Sequence, residues 1–392
     1  MTDLAPPPAI TRSPGDGAVR TALRRAAPAL LVYAGTRLLG LVVLGIWAAV
    51  ADRDAHQLLA RRWDSLWYSR IAEGGYGHSV PMPDGSVHSD LAFFPMLPWL
   101  ERLGAAVSPL SAADTGLLVS AVASVFAAWA LFAVGERVAG SRAGVMLVAL
   151  WAALPVGVVQ SMAYSESLFT ALAAWGVYAL LARRWVAAGV LAALAGLTRP
   201  VGAAVVAAVW ITAAAELWRD AGRRRAWRRE WPLLAGVALA PLGWVGYFVW
   251  VGVRTGSVTG YLDVQAGWGN GFDGGLAFAG FILERLFSPG FLAGAALLIG
   301  VGLLLWLFAL GVRSRLPLPL LVYAGVVLTL ALAAKGYFGS KPRLLIPAFP
   351  LLLPPAAALG RWRPARAWPV VAVVAVGSAV YGAFWLHGSG PP

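Results

Sequence analysis

Cysteine is absent from this chain of 392 residues. Disulfide bonds, thiolate metal sites and cysteine nucleophiles are therefore excluded. Histidine is scarce as well, and the four histidines, His56, His78, His88 and His387, are not spaced as metal ligands. The sequence predicts no metal-binding residues and no cofactor from this pattern, and a requirement for a divalent cation is left open.

Charge is also scarce. Only 12% of the residues are charged, 59% are hydrophobic, and the mean hydropathy is +0.72. This composition predicts an all-α, polytopic membrane protein whose main partner is the lipid bilayer. The net charge of +13 comes from arginines in short gaps between apolar runs, as membrane topology requires. Nucleic acid is therefore not predicted as a partner.

Long apolar runs divide the chain into about 11 predicted transmembrane helices, within one transmembrane domain over residues 28–392. The preceding residues 1–27 are rich in Pro, Gly and Arg and are predicted to form a disordered cytoplasmic tail. The predicted helices cover residues 28–50, 112–134, 144–160, 165–182, 186–198, 200–217, 231–252, 290–312, 317–334, 343–360 and 368–386.

The distribution of charge predicts the orientation of these helices. Most arginines fall in the tail and in every second gap, and most acidic residues fall in the other gaps. Because positive charge accumulates on the cytoplasmic side, the N-terminus is predicted to be cytoplasmic. Two long segments, about 51–111 and 254–289, are then predicted as loops on the outer face.

The first of these loops interrupts the apolar pattern with polar, aromatic and glycine residues. The sequence WDSLWYSRIAEGGYG has apolar residues at helical spacing and predicts an interfacial helix that ends at Gly74-Gly75. A second half-buried helix is predicted over AFFPMLPWLERL. Two structured loops above a helical bundle favour chemistry at the outer face.

Several segments resemble one family of enzymes. They are WDSLWY with the following GGY, FFPMLP, AYSESLF at 163–169, LTRPVG at 197–202 and KPRLLIPAFP at 341–350. Together they resemble the PIG-V-like membrane mannosyltransferases, which belong to the GT-C class of lipid-phosphosugar-dependent glycosyltransferases. The resemblance implies a polyprenyl-phosphate sugar donor and mannose as the sugar. The acceptor is predicted to be a glycolipid or a cell-envelope glycan, and the active site is predicted at the outer face of a bacterial plasma membrane.

Inverting transfer of a sugar from a lipid phosphate to a hydroxyl needs a carboxylate base and cations near the departing phosphate. Asp64 is the candidate base, because it follows the first predicted span at the position that the resemblance implies. Alternatively, Asp64 only caps the interfacial helix. Asp90 is the second carboxylate of the loop. It either orients the acceptor or supports a metal, or it is a solvated cap of the next helix.

Cations for the phosphate are predicted in two places. Glu166 lies in an apolar segment and needs a partner, for which Arg199 is the candidate. The pair is either structural, or Glu166 holds Arg199 against the donor phosphate. The segment KGYFGSKPR adds Lys335, Lys341 and Arg343, and the chain has no other lysines. Arg343 is the preferred phosphate ligand, since its guanidinium can bind two oxygens. The alternative is headgroup binding by these cations.

Three further residues have open interpretations. Gln265 and Trp268 in the second loop are candidate sugar contacts, although tryptophan is also common at membrane interfaces. Arg37 lies well inside the first predicted span. It either extends back to the cytoplasmic surface or has a partner in the protein interior.

The function predicted from these residues is sugar transfer from a polyprenyl phosphate, with Asp64 as general base. A lipid-linked sugar transporter or flippase is the alternative, since many spans and intramembrane charges also describe transporters. The sequence shows no repeated halves and no nucleotide-binding motif. A membrane scaffold is the third interpretation, and it gives no reason for charged residues to gather on the outer side.

Overall fold

The computed structural model describes residues 14–219, 227–388 and 390–391, and within them the chain is predominantly helical. Eighteen α-helices are present in these ranges: α1 (Pro14–Val50), α2 (Ala55–Ala60), α3 (Asp64–Gly74), α4 (Met96–Val107), α5 (Ala112–Ala139), α6 (Ser141–Ala152), α7 (Glu166–Leu181), α8 (Trp185–Gly196), α9 (Ala203–Arg219), α10 (Trp227–Leu239), α11 (Leu242–Thr255), α12 (Gly260–Gly267), α13 (Leu276–Leu286), α14 (Phe291–Arg313), α15 (Leu318–Ala333), α16 (Lys341–Leu344), α17 (Leu353–Arg361) and α18 (Pro364–His387).

Helix α1 begins earlier than the sequence indicates. It starts at Pro14, so the described part of the tail expected to be disordered is helical and continuous with the first span. Residues 1–13 lie outside the described part of the chain. The sequence places the boundary too late because arginines in this stretch suggest a polar tail, although they are compatible with the first turns of a long helix.

Six helical segments in the described ranges are long and apolar enough to cross a membrane, and a seventh is possible if one bent pair counts as a span. The six are Val19–Val50, Ala112–Ala139, Pro200–Arg219, Glu230–Thr255, Phe291–Arg313 and Pro364–His387. The bent pair joins Phe338–Leu344 to Phe349–Arg361 at 71°. The count of about 11 full spans is therefore not confirmed.

The difference has a physical cause, because four apolar segments form helices of only 12 to 16 residues: α6, α7, α8 and α15. A helix of 12 residues is about 18 Å long, whereas the hydrocarbon layer is about 30 Å thick. The apolar run at 144–160, for example, leaves α6 after Ala152 and continues as turns and a 3₁₀ helix over Gly157–Ser161. Hydropathy alone does not detect such breaks.

Small residues let the helices of the core approach closely. A Cβ atom added to Gly189 in α8 would lie 2.4 Å from the carbonyl oxygen of Gly236 in α10. Gly135 in α5 is similarly close to Gly144 in α6, with 2.7 Å from the added Cβ to Cα. Association of membrane helices relies on this close packing, because lipid is as apolar as the side chains. This close packing holds α7 and α8 in place. Glu166, the first residue of α7, and Arg199, which follows α8, therefore lie at one end of the bundle.

The two long polar segments fold against each other at that end. In the first, α3 matches the expected interfacial helix and ends just before Gly75, whereas α4 begins four residues later than the expected helix over AFFPMLPWLERL. An antiparallel hairpin, β1 (Ser79–Pro81) with β2 (Val87–Ser89), lies between them. In the second, β3 (Gly271–Phe272) pairs antiparallel with β4 (Ala334–Lys335). This pairing brings the second loop beside the KGYFGSKPR segment. The placement of both loops outside the cell stays a prediction.

Candidate active site

The chain enters the site through a strained turn. Trp63 has φ 54° and ψ −121°, a backbone conformation that favours glycine. The guanidinium of Arg62 lies 4.0 Å above the Trp63 ring and donates to the carbonyl oxygens of Leu386 and Gly388 at 2.5 and 3.0 Å. The last helix therefore holds the turn in place. Strain of this kind is found at functional sites, and here the next residue is Asp64.

Asp64 forms an ion pair with Arg343. Oδ2 of Asp64 lies 2.7 Å from Nη1 of Arg343, and the two side chains are 20% and 10% exposed. The N-cap of α3 is Trp63, and no side chain makes a capping hydrogen bond there. The helix-cap interpretation of Asp64 is therefore wrong, since its carboxylate faces a cation from the other end of the chain.

Arg343 also contacts Glu166, with 3.4 Å between Nε and Oε1, and the same oxygen of Glu166 lies 2.7 Å from Nη1 of Arg199. The expected Glu166–Arg199 pair is thus present, and it is joined to the Asp64–Arg343 pair. We call Asp64, Arg343, Glu166 and Arg199 the charge network. Its two positive and two negative formal charges cancel, which reduces the cost of burying them.

Each member of the charge network lies at a break in the helical structure. Asp64 and Glu166 are the first residues of α3 and α7. Arg199 is extended, between α8 and a 3₁₀ helix over Pro200–Gly202, and Arg343 lies in the four-residue α16. Helix breaks inside a membrane bundle are tolerated where the backbone is enclosed by protein or lines a water-filled cavity. They turn four charged side chains from distant parts of the sequence towards one point.

The charge network is not saturated with hydrogen bonds. Within the described residues, Nε and Nη1 of Arg343 and both carboxylate oxygens of Glu166 are buried without a hydrogen bond of good geometry. These atoms are close to opposite charges but are not aligned with them. Buried polar groups are normally hydrogen-bonded, and exceptions often mark a binding site. Arg343 is therefore held mainly by charge, with Nη1 facing Asp64 and Nε facing Glu166.

Three neighbouring side chains, Tyr164, Ser165 and Tyr68, support the charge network. The ring of Tyr164 lies 5.1 Å from the Arg343 guanidinium, a cation–π distance. Nη1 of Arg199 donates to Oγ of Ser165 at 2.9 Å, and that oxygen is 2.8 Å from the hydroxyl of Tyr68. Burial raises the pKa of Tyr68 above its usual value, so its hydroxyl stays protonated and neutral. Tyr164, Ser165 and Tyr68 were not predicted, although each lies inside a segment that carries the resemblance.

Asp90 lies outside the charge network and supports the loop. It is fully buried, and Oδ2 accepts hydrogen bonds from the backbone N–H groups of Gly77 and His78, both at 2.8 Å. The interpretation of Asp90 as a solvated cap is wrong, because its carboxylate is enclosed and holds two loop amides. The role in acceptor orientation stays a prediction.

The two lysines lie apart from the charge network. Nζ of Lys341 donates to the carbonyl oxygens of Ala331 and Ala334 at 2.6 and 2.8 Å and lies 4.5 Å from the centre of the Phe278 ring. Its ammonium group is thus bound to the end of α15. Lys335 is exposed in β4, opposite Gly271. Of the three cations in KGYFGSKPR, only Arg343 contacts the carboxylates.

Gln265 and Trp268 join the two loops. The side-chain amide of Gln265 donates to the hydroxyl of Tyr261 at 2.8 Å and accepts from Asn270 at 2.8 Å. Nε1 of Trp268 donates to the carbonyl oxygen of Ser89 at 3.0 Å, and its ring stacks on His88 at 4.1 Å. Their polar groups are used within the protein. A contact with sugar stays a prediction for both.

No group of three or more His, Asp or Glu side chains among residues 14–219, 227–388 and 390–391 is arranged to bind a metal ion. The candidate site is therefore described by the charge network and its supporting residues.

Comparison with solved structures relates this geometry to a known fold. ArnT from Cupriavidus metallidurans bound to undecaprenyl phosphate superposes with a TM-score of 0.53 and 17% identity, covering 88% of this chain and 62% of ArnT. The same enzyme in the apo state gives a TM-score of 0.51 and 19% identity, covering 86% and 61%. The chain has the GT-C fold. It spans less than two thirds of the length of ArnT.

Sequence comparison matches part of the chain to one family. Residues 88–250 match the family model described as dolichyl-phosphate-mannose-protein mannosyltransferase. This range is less than half of the chain and contains Glu166 and Arg199 but not Asp64 or Arg343. No curated protein matches the sequence. The expected GT-C fold class is confirmed, and the PIG-V-like assignment stays a prediction.

Proposed function

We propose that this protein is a membrane glycosyltransferase that moves a sugar from a polyprenyl-phosphate donor to a glycolipid or cell-envelope glycan at the outer face of the plasma membrane. The observation that carries the proposal is the 2.7 Å contact between Asp64 and Arg343. It places a partly accessible carboxylate against a buried cation whose Nε and Nη1 make no hydrogen bond of good geometry among the described residues. Sugar transfer from a lipid phosphate needs a base and a cation in one site.

In this reaction Asp64 accepts the proton of the acceptor hydroxyl while that oxygen attacks the anomeric carbon from the face opposite the phosphate, which inverts its configuration. Arg343 stabilises the departing phosphate by charge-assisted hydrogen bonds. Glu166 contacts Arg343 from the buried side and is itself paired with Arg199. ArnT, which shares the fold, is described in complex with undecaprenyl phosphate, and this supports a polyprenyl-phosphate donor.

Mannose is the proposed sugar. The resemblance to PIG-V-like enzymes and the partial match to a family named for dolichyl-phosphate-mannose both favour it. Four further residues have polar groups that lie outside the charge network, so they are not assigned a part in the chemistry. They are proposed to border the path of the donor and acceptor: Lys335, Lys341, Gln265 and Trp268.

Transfer from a labelled polyprenyl-phosphate mannose to membrane lipid and glycan extract tests the function. The purified protein in nanodiscs is compared with Asp64→Asn and with Asp84→Asn, which removes an exposed carboxylate from the hairpin of the same loop. We expect Asp84→Asn to transfer like the unchanged protein and Asp64→Asn to lose about 100-fold or more in rate. Wild-type rates with Asp64→Asn remove Asp64 as the base. Movement of the donor across vesicles without transfer would support the transporter.

The same assay tests the cation requirement. Addition of a chelator should leave the rate unchanged if Arg343 supplies the positive charge for the phosphate. A rate that falls with the chelator and returns with Mg²⁺ or Mn²⁺ would show that a divalent cation shares this role.

A further inference from the structure

Arg343 lies between two carboxylates, those of Asp64 and Glu166, and the two carboxylates differ in how accessible they are to a ligand. The carboxylate of Glu166 is 1% exposed and also faces Arg199, so it is fixed in the interior. The carboxylate of Asp64 is 20% exposed and lies at the first turn of α3. A ligand that reaches Arg343 therefore competes with Asp64 and not with Glu166.

The proposed reaction changes the charge of two groups at this point. Asp64 begins as a carboxylate and takes up one proton from the acceptor hydroxyl, so it becomes neutral. The donor is a phosphodiester with one negative charge, and cleavage of its bond to the sugar leaves a phosphate monoester with two. The acceptor oxygen forms the new glycosidic bond, so atoms and charge balance.

We propose that Asp64 and the departing polyprenyl phosphate are alternate ligands of Arg343, so that protonation of Asp64 transfers Nη1 of Arg343 from the carboxylate to the phosphate. This inference rests on the proposed function. Proton uptake and stabilisation of the departing phosphate become one event, because neutral Asp64 attracts Arg343 far less than the carboxylate does. The negative charge on the departing phosphate increases at the same time as Arg343 is released from Asp64.

The geometry around Arg343 fits a short movement of this kind. Nη1 lies 2.7 Å from Asp64 but makes no hydrogen bond of good geometry among the described residues. The contact with Glu166 and the Tyr164 ring restrain the remainder of the guanidinium. The contact with Asp64 is made by Nη1, whereas the contact with Glu166 is made by Nε, so a change of partner at Nη1 does not require the loss of Glu166.

The proposal predicts that Asp64→Asn binds the product better while it abolishes transfer, since asparagine resembles the protonated acid. We expect its affinity for a short-chain polyprenyl monophosphate, measured by tryptophan fluorescence in detergent micelles, to rise about tenfold or more. Asp84→Asn should bind like the unchanged protein. The corresponding polyprenol, which has no phosphate, should bind equally to all three.

A double variant tests whether the gain acts through Arg343. Arg343→Gln should weaken binding of the monophosphate, and Asp64→Asn combined with Arg343→Gln should show no gain over Arg343→Gln. Thermal unfolding in the same micelles identifies any variant that is not folded. Asp64→Gln provides a second neutral side chain if Asp64→Asn does not fold.

The outcomes separate this inference from the proposed function. An unchanged or weaker affinity of folded Asp64→Asn overturns the exchange of ligands, and so does a gain that persists without Arg343. If the unchanged protein transfers the sugar in either case, the proposed function stands. If neither the unchanged protein nor Asp64→Asn binds the monophosphate in preference to the polyprenol, both proposals fail.

Discussion

Glu166 and Arg199 form a buried ion pair, with 2.7 Å between Oε1 and Nη1 and side-chain exposures of 1% and 11%. Burial of an ion pair contributes little net stability, because desolvation offsets the attraction between the charges. The loss of one partner is costly, since the other charge then remains buried alone. Here a second arginine, Arg343, depends on the same carboxylate.

Glu166→Gln should therefore destabilise the protein by about 3 kcal/mol or more. The variant leaves Asp64 as the only anion for Arg343 and Arg199. We expect a thermal midpoint in detergent lower by about 5 °C or more, and a lower rate of sugar transfer because Arg343 is no longer restrained. Glu284→Gln is the matched control, since Glu284 is exposed in α13. Equal midpoints for the two variants would show that the network does not stabilise this end of the bundle.

Much of this network could be predicted from sequence. Glu166 and its partner Arg199 are predicted because a charge in an apolar context needs a partner or a function. Asp64 is predicted from its position after the first span, which the resemblance implies as catalytic, and Arg343 from the ability of its guanidinium to bind two oxygens. The Glu166–Arg199 pair was also predicted. Its connection to Asp64 through Arg343 was not, since charge alone does not indicate which pairs of helices meet.

Helix breaks account for most of what the sequence did not predict. Hydropathy treats an apolar run such as 144–160 as one span, whereas the chain leaves α6 at Ala152 and becomes irregular before Glu166. Tyr164 and Ser165 lie in this irregular stretch, and their polar groups gave no signal against the surrounding apolar residues. The backbone contacts of Lys341 are also not predicted from sequence, because the sequence does not show that its ammonium group faces the carbonyl groups at the end of α15.

Asp90→Ala should destabilise the first loop without removing a group that takes part in sugar transfer. The change leaves the buried N–H groups of Gly77 and His78 without their acceptor, at a cost of about 1–3 kcal/mol each. We expect faster proteolysis in the β1–β2 hairpin and a lower thermal midpoint, with the transfer rate of the folded protein at saturating substrate within a few-fold of normal. Asp84→Asn is the control in the same hairpin, since the asparagine side chain can still accept the hydrogen bonds from Ser86. A large fall in rate with unchanged stability would instead place Asp90 among the catalytic groups.

Arg37 has interior partners, so the snorkelling interpretation is wrong. Its guanidinium donates to the carbonyl oxygens of Ala152 and Gly157, at the end of α6 and in the break that follows. Arg37→Met keeps much of the side-chain volume but leaves these carbonyls without a donor. We expect a lower thermal midpoint than for Arg61→Met, which changes an exposed arginine. Equal midpoints would show that Arg37 does not stabilise the break.

The carboxyl group of Glu101 has no hydrogen-bond partner among the described residues. It should make the free energy of unfolding depend on pH. It is fully buried in α4, and both carboxylate oxygens lack a hydrogen bond among the described residues. Oε1 lies against Gly116 of α5, where an added Cβ would be only 2.4 Å away. Burial, with a smaller contribution from Glu73, raises the pKa of Glu101 from 4.5 to about 9. The side chain is thus a neutral acid at pH 7.

Because the folded-state pKa of Glu101 is above the unfolded value, the folded protein binds more protons between pH 4.5 and about 9. Stability should fall as pH rises through this range, by up to about 1.4 kcal/mol per pH unit from this residue. Glu101→Gln cannot ionise, so its thermal midpoint should decline less between pH 5.5 and 8.5 and exceed that of the unchanged protein at the upper end. Glu284→Gln should follow the unchanged protein. Parallel curves for Glu101→Gln and the unchanged protein would mean that Glu101 is solvated or paired when ionised, contrary to its enclosed position between α4 and α5.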